Sequence, residues 1–256
     1  MRPQFRTYAV GEVVVLEVAG QLGNTVEDLD HAIELALAEA PRGVVCDLSA
    51  GLENADAGAV ELLARVGRHV RNWAGVPVAV VCPDPQVHLA LAAHPLGRHL
   101  IVRESVPEAM SVVLWPPTPS VESLHLAPHP TSSRTSRDFV SRTLLHWRLG
   151  ELLPAASLVV SELVTNSTVH AGTEIDLSLA WQRPALRLTV RDHSSALPRQ
   201  QEAGLEVHGR GLAIIASLSR AFGVLPTADG GKVVWAVLEA PQSDPMCSGA
   251  PSDSAA

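Results

Sequence analysis

The chain is poor in several things that would point to particular functions. Lys232 is its only lysine among 19 basic residues, and no basic run or basic helix face occurs. With a formal net charge of −8, this argues against a general nucleic-acid binder. Aromatic residues make up only 4%. No uninterrupted apolar run reads as a bilayer span, and the opening MRPQFRTYAV lacks a signal-peptide core. Cys46, Cys82 and Cys247 are scattered, with no CxxC or His-spaced partner. Neither a disulfide framework nor a zinc site is expected from them, and a reducing cytoplasmic location fits.

What is present suits packed globular units. Hydrophobic residues make up 46% of the 256 and charged residues 18%, enough for two modest domains with separate cores. Residues 12–115 alternate strand signals (EVVVLEVAG, GVVCDLS, VPVAVVCP, HLIVRES) with amphipathic helical ones, which predicts a largely parallel α/β sheet with helix crossovers. Residues 116–133 are rich in Pro and Ser and read as a linker, with ESLHLA a candidate first strand of the second unit. Beyond it come helices over roughly 134–148 and 154–171, then a hairpin (EIDLSLAWQ, ALRLTVRD) and a polar loop over 193–208. A helix opened by GRGLAIIASLSRAF and a closing hairpin ending in KVVWAVLEA complete an α+β sandwich. Residues 241–256 read as a disordered tail. The expected units are therefore 1–115, the linker 116–133, 134–240 and the tail.

Three features of the second unit carry chemistry. In SELVTNSTVHA, Glu162, Asn166 and His170 recur every fourth residue, which on a regular helix places them along one polar stripe beside an apolar one. In VRDHSSALP, Asp192 stands where a strand runs out into a loop. In HGRGLAII, Gly209, Arg210 and Gly211 form a glycine-rich turn opening a helix, where free N–H groups can face a phosphate. A neutral amide oxygen at Asn166 can hold Mg²⁺ without adding charge beside phosphates, and a carboxylate one turn away can accept a hydroxyl proton. His170 can line the pocket or pack at its edge. A metal role for His193 and His208 has no supporting ligand spacing.

These features, over about 134–239, resemble the GHKL-type (Bergerat) ATP-binding fold, and within it the serine kinases that act as anti-sigma factors. The resemblance implies ATP and Mg²⁺ as cofactors. It implies Glu162 as general base, Asn166 as Mg²⁺ ligand and Asp192 as acceptor of the adenine amino group. Gly209 and Gly211, with Arg210 between them, would lie against the phosphates, and Lys232 in GGKVVW would help order the site. One departure is plain: the stretch after Asp192 reads His193, Ser194, Ser195, Ala196, without the glycines common there.

Residues 8–113 resemble STAS domains, the fold of anti-sigma factor antagonists, on VVVLEVAGQL and VVCDLSAGLENADAGAVELLARV. Asp47, Leu48, Ser49 and Gly58 match that pattern. The serine phosphorylated in the family falls here on Asp56. An aspartate at a helix start is a good N-cap and is favoured by the helix dipole, so Asp56 reads as a cap in a domain without its switch or as a permanent stand-in for phosphate.

The two resemblances imply a cytoplasmic regulator that transfers the ATP γ-phosphate to Ser or Thr of a STAS antagonist, with a sigma factor as a second partner. No direct nucleic-acid or membrane partner is expected, and a homodimer is an open option. The alternative is a nucleotide-sensing module without turnover that sequesters partners. A histidine-kinase catalytic domain is disfavoured, because no helix pair with an exposed acceptor histidine precedes the ATP unit. His146, beside Trp147, reads as core edge.

Overall fold

The computed structural model describes residues 4–19, 26–50, 76–93, 101–195 and 210–241. Asp56, its surrounding helix signal, His208, Gly209, Cys247 and the expected disordered tail lie outside them.

The N-terminal unit runs β1 (Gln4–Val10), β2 (Val13–Ala19), α1 (Val26–Ala38), β3 (Gly43–Asp47), β4 (Val78–Val81), α2 (Pro85–Ala93), β5 (Ile101–Arg103) and α3 (Val106–Leu114). Its five strands lie in the order β1-β2-β3-β4-β5. The pairs from β2 to β5 are parallel, as the alternating signals predict. The antiparallel β1 is not anticipated by the sequence pattern: polar and apolar residues do not alternate regularly in QFRTYAV, residues 6–10 are exposed, and the chain turns back through Gly11 at φ 61°. Val13, Val15, Val45, Ala79 and Val81 pack with Ala109 and Val113 of α3. Leu16, Val18, Val44, Cys46, Val78 and Val80 point the other way, into the core that holds Leu29, Ile33 and Leu37 of α1. Burial on both faces explains the continuous apolar runs of β3 and β4. It also pushes the Cys46 thiol up to about 12, so this cysteine is an inert core residue.

The C-terminal unit runs β6 (Ser120–Leu126), α4 (Ser132–His146), a 3₁₀ turn (Gly150–Leu152), α5 (Leu153–Asn166), β7 (Ile175–Gln182), β8 (Ala185–Asp192), α6 (Arg210–Leu218), β9 (Ala221–Pro226) and β10 (Lys232–Glu239). The sheet is antiparallel in the order β6-β7-β8-β10-β9. Its first strand lies inside the stretch read as linker. β6 is an edge strand, largely exposed, so its sequence carries little apolar alternation. The helix expected to run to Phe222 stops at Leu218, because Arg220 N donates to Val237 O and Ala221 and Phe222 pair with β10.

Gly150–Ala171 is a continuous helical run long and apolar enough, by composition, to cross a membrane, contrary to the reading of the sequence. Here its Ala156, Val159, Val160, Leu163 and Val164 are buried against the inner sheet face, with Ile175, Leu177, Leu188 and Val190. Pro154 opens the helix where its missing N–H costs nothing. Arg137 of α4 donates to Ser161 Oγ at 3.1 Å, fixing the turn that presents Glu162.

The opposite face of this sheet is not left to solvent. Leu225, Val233, Trp235 and Val237 are buried in the same cluster as Leu29, Ile33 and Leu37, so α1 is shared between the two sheets. Arg191 of β8 reaches Glu39, just past α1, at 3.3 Å. β10 is accordingly buried on both faces, with Val234, Ala236 and Leu238 turned toward the helices.

Candidate functional site

The site forms where the C-terminus of α5, the end of β8, the start of α6 and the start of β10 meet. Glu162 and Asn166 lie one turn apart on α5, both half-buried. The first turn of α6 closes over them. A methyl group on Gly211 would lie 2.5 Å from Glu162 Oε2 and 3.8 Å from Asn166 Nδ2, so any larger residue there would have to push the Glu162 carboxylate aside. Three of the residues singled out in the sequence are thus brought together at a helix N-terminus, where backbone N–H groups lack helical partners. Among the described residues, neither the Glu162 carboxylate nor the Asn166 amide has a hydrogen-bond partner in the structure. Arg210 opens the helix, and Gly209 before it lies outside the described residues.

His170 does not continue the stripe. After Asn166 the helix widens into a π turn over Ser167–Ala171, closed by Gly172 at φ 63°. A π turn advances less per residue than an α-helix, so four-residue spacing no longer superposes side chains. His170 is exposed. Ser167 turns inward instead and donates its hydroxyl to Asp192 Oδ2 at 2.9 Å. Sequence reasoning misses Ser167, whose only signal is its place directly after Asn166.

Asp192 closes β8 and has no solvent exposure. Its Oδ1 accepts from Lys232 Nζ at 2.7 Å and from Ser194 N at 3.1 Å. Lys232 Nζ also donates to Ser194 O at 3.1 Å. Lys232 and Asp192 are direct partners in the β8–β10 register. Gly231, just before, lies against the Asp192 carbonyl, His193 Cα and Thr227 Oγ1, leaving no room for a side chain.

A second polar cluster flanks this pair. Asp229 accepts from Thr227 Oγ1 and lies 3.3 Å from Arg191 and 3.1 Å from His193 Nδ1. The Thr227 hydroxyl is the largest cause holding the Asp229 carboxyl well below its ordinary value, aided by Gly231 N–H, His193 and Arg191. His193 is therefore part of a turn-stabilising network. Among the described residues no group of His, Cys, Asp and Glu could hold a metal by itself.

The two ends of the site differ in their fit to Mg²⁺-ATP. At Glu162, Asn166 and Gly211, an unpaired carboxylate, an unpaired amide and a helix N-terminus suit a metal-bound triphosphate. At Asp192 the recognition group expected for the base already has both oxygens engaged by Lys232, Ser194 and Ser167.

Residues 126–238 match the family model described as a histidine kinase-like ATPase domain. Solved structures similar to part of the chain include an anti-sigma factor antagonist from Mycobacterium paratuberculosis, 22% identical, covering 43% of this chain and 93% of that one at a TM-score of 0.35. They also include the anti-sigma factor antagonist SpoIIAA in its unphosphorylated form, 20% identical, covering 43% of this chain and 97% of that one at a TM-score of 0.34. No curated protein matches the chain. The segment matching the histidine kinase-like ATPase model spans nearly all of the antiparallel C-terminal sheet and its helices.

Proposed function

We propose that this chain is an ATP-dependent regulator of the anti-sigma factor type, acting as a protein serine/threonine kinase on a STAS-fold antagonist. The observation that carries this reading is the convergence of Glu162, Asn166 and Gly211 at the start of α6, within the segment matching the ATPase family. Mg²⁺-ATP would supply the γ-phosphoryl group. Asn166 would hold the metal through its amide oxygen, and the first N–H groups of α6 would face the phosphates. Glu162, one turn away, would take the proton from the incoming hydroxyl. Positioning and charge stabilisation supply most of the catalysis in such reactions. Asp192 would face the base, with Lys232 and Ser167 setting its position. The family of the matched segment and the STAS-like motifs of the first unit support an antagonist as the protein substrate; a sigma factor would be the second partner.

The test is phosphate transfer from labelled ATP to a serine-bearing STAS partner in the presence of Mg²⁺. Labelling that disappears in Glu162→Gln while nucleotide binding persists supports the reading. The engagement of both Asp192 oxygens by protein donors favours a second reading, a nucleotide-sensing module without turnover; binding with no labelling of any antagonist would establish it.

A further inference from the structure

The Lys232–Asp192 pair lies where ligand recognition is expected, and it takes up acceptor capacity a ligand would use. Asp192 is 0% exposed and both its oxygens are engaged by protein donors. A carboxylate offers about four acceptor sites, and here Lys232 Nζ, Ser194 N and Ser167 Oγ already converge on them. Lys232 is itself 5% exposed and held by a second bond to Ser194 O, so its ammonium is placed and not merely nearby.

The residue type fits the task. Every other basic residue of the chain that is not histidine is an arginine. A guanidinium is a broad planar fork with five donors, whereas an ammonium is a compact charge on a slender stem. An ammonium can end on a single carboxylate oxygen, as Lys232 Nζ does on Asp192 Oδ1 at 2.7 Å.

We propose that Lys232 is a built-in competitor of the ligand at Asp192. Its ammonium occupies the acceptor that a purine 6-amino group needs, so entry of an adenine nucleotide requires the Lys232–Asp192 pair to part. This rests on the proposed nucleotide site and adds to it a residue that sets affinity and base preference. The phosphate end, at Glu162, Asn166 and Gly211, is untouched by the pair. Binding through that end alone would be weak and indifferent to the base.

The experiment is calorimetric titration of Mg²⁺-ATP and Mg²⁺-inosine triphosphate into the full chain, Lys232→Thr and the double variant Asp192→Asn/Lys232→Thr. The double variant removes both charges, so a folded protein is available if Lys232→Thr leaves Asp192 buried and unpaired. The amide that Asp192→Asn introduces still accepts a hydrogen bond. At least tenfold tighter ATP binding than wild type is expected in each folded variant, with little gain for inosine triphosphate, whose 6-oxo group cannot donate. Unchanged or weaker ATP binding in the variants would overturn the competitor role while leaving the nucleotide site standing. An equal gain for both nucleotides would show simple loosening and overturn it as well. Absence of binding in every protein would remove the nucleotide site and the competitor together.

Discussion

Gly211 at the start of α6 lies so close to Glu162 that a methyl group there would stand 2.5 Å from the carboxylate oxygen. The obstacle is the free end of a flexible side chain, so Gly211→Ala should cost little stability. Alanine is better than glycine in a helix by up to about 1 kcal/mol. The substitution must, however, move the carboxylate or lift the first turn of α6. Gly211→Ala is expected to melt within a few degrees of wild type and to bind Mg²⁺-ATP about tenfold more weakly, a change of about 1.4 kcal/mol. Unimpaired binding would place the phosphates elsewhere.

Gly231 presents the contrasting case. A methyl group there would press on the Asp192 carbonyl and His193 Cα, which are backbone atoms that cannot rotate away. Gly231→Ala should destabilise the fold by roughly 1–3 kcal/mol, the usual cost of overpacking. Chemical denaturation with an unchanged m-value is the check. An undiminished midpoint would mean that the β8–β10 ends are more pliable than their contacts imply.

Trp235 joins the two units through the core shared with α1, where it is 5% exposed. Trp235→Ala should cost about 3–5 kcal/mol, as for other large buried aromatics. Because Leu29 and Ile33 lie in the same cluster, the loss should loosen both sheets in a single transition. Hydrogen exchange can detect this: protection should fall in β2 and β3 as well as in β9 and β10. A loss confined to the C-terminal strands would show that the shared core does not couple them.

His125 provides a pH signature away from the site. Its Nδ1 lies 2.7 Å from Asp176 Oδ1, and this hydrogen bond is the main reason its pKa is raised from the ordinary 6.5. A group whose folded pKa lies above its unfolded value binds protons more tightly when folded. The pair therefore contributes stability in full below the ordinary histidine value, and that contribution is lost as pH rises through the raised one. Proton NMR of the ring should show His125 titrating above 6.5, and Asp176→Asn should return it toward that value. Titration at or below the ordinary value in the unaltered protein would refute the pairing.

Much of this arrangement is legible in the sequence, and the parts that are not share physical causes. Glu162, Asn166 and Asp192 are visible because polar residues at helical spacing, or at a strand end, stand out from apolar surroundings. Gly211 is visible as a helix-opening glycine, but its contact with Glu162 is a long-range fact no local pattern encodes. The π turn displaces His170 and brings Ser167 inward, because a sequence read with a regular helical period has no means to register one widened turn. β6 is legible only as the candidate ESLHLA within the linker, and β1 is obscured because residues 6–10 are exposed and do not alternate regularly. β10 lacks alternation because α1 covers the face that a two-layer sandwich would leave open. Lys232 stands out only as a solitary lysine; its burial against Asp192 comes from the register of β8 and β10.

The most direct test of the central claim is calorimetric titration of Mg²⁺-ATP into the wild-type chain and Asn166→Ala. With Asp192 occupied by Lys232, the wild type should bind with a Kd of about 10–100 µM, or roughly −5.5 to −7 kcal/mol. Binding should require Mg²⁺ and weaken at least tenfold in Asn166→Ala. Equal affinity in the two proteins, or heat that persists unchanged without Mg²⁺, would contradict the assignment of Asn166 and the site built around it.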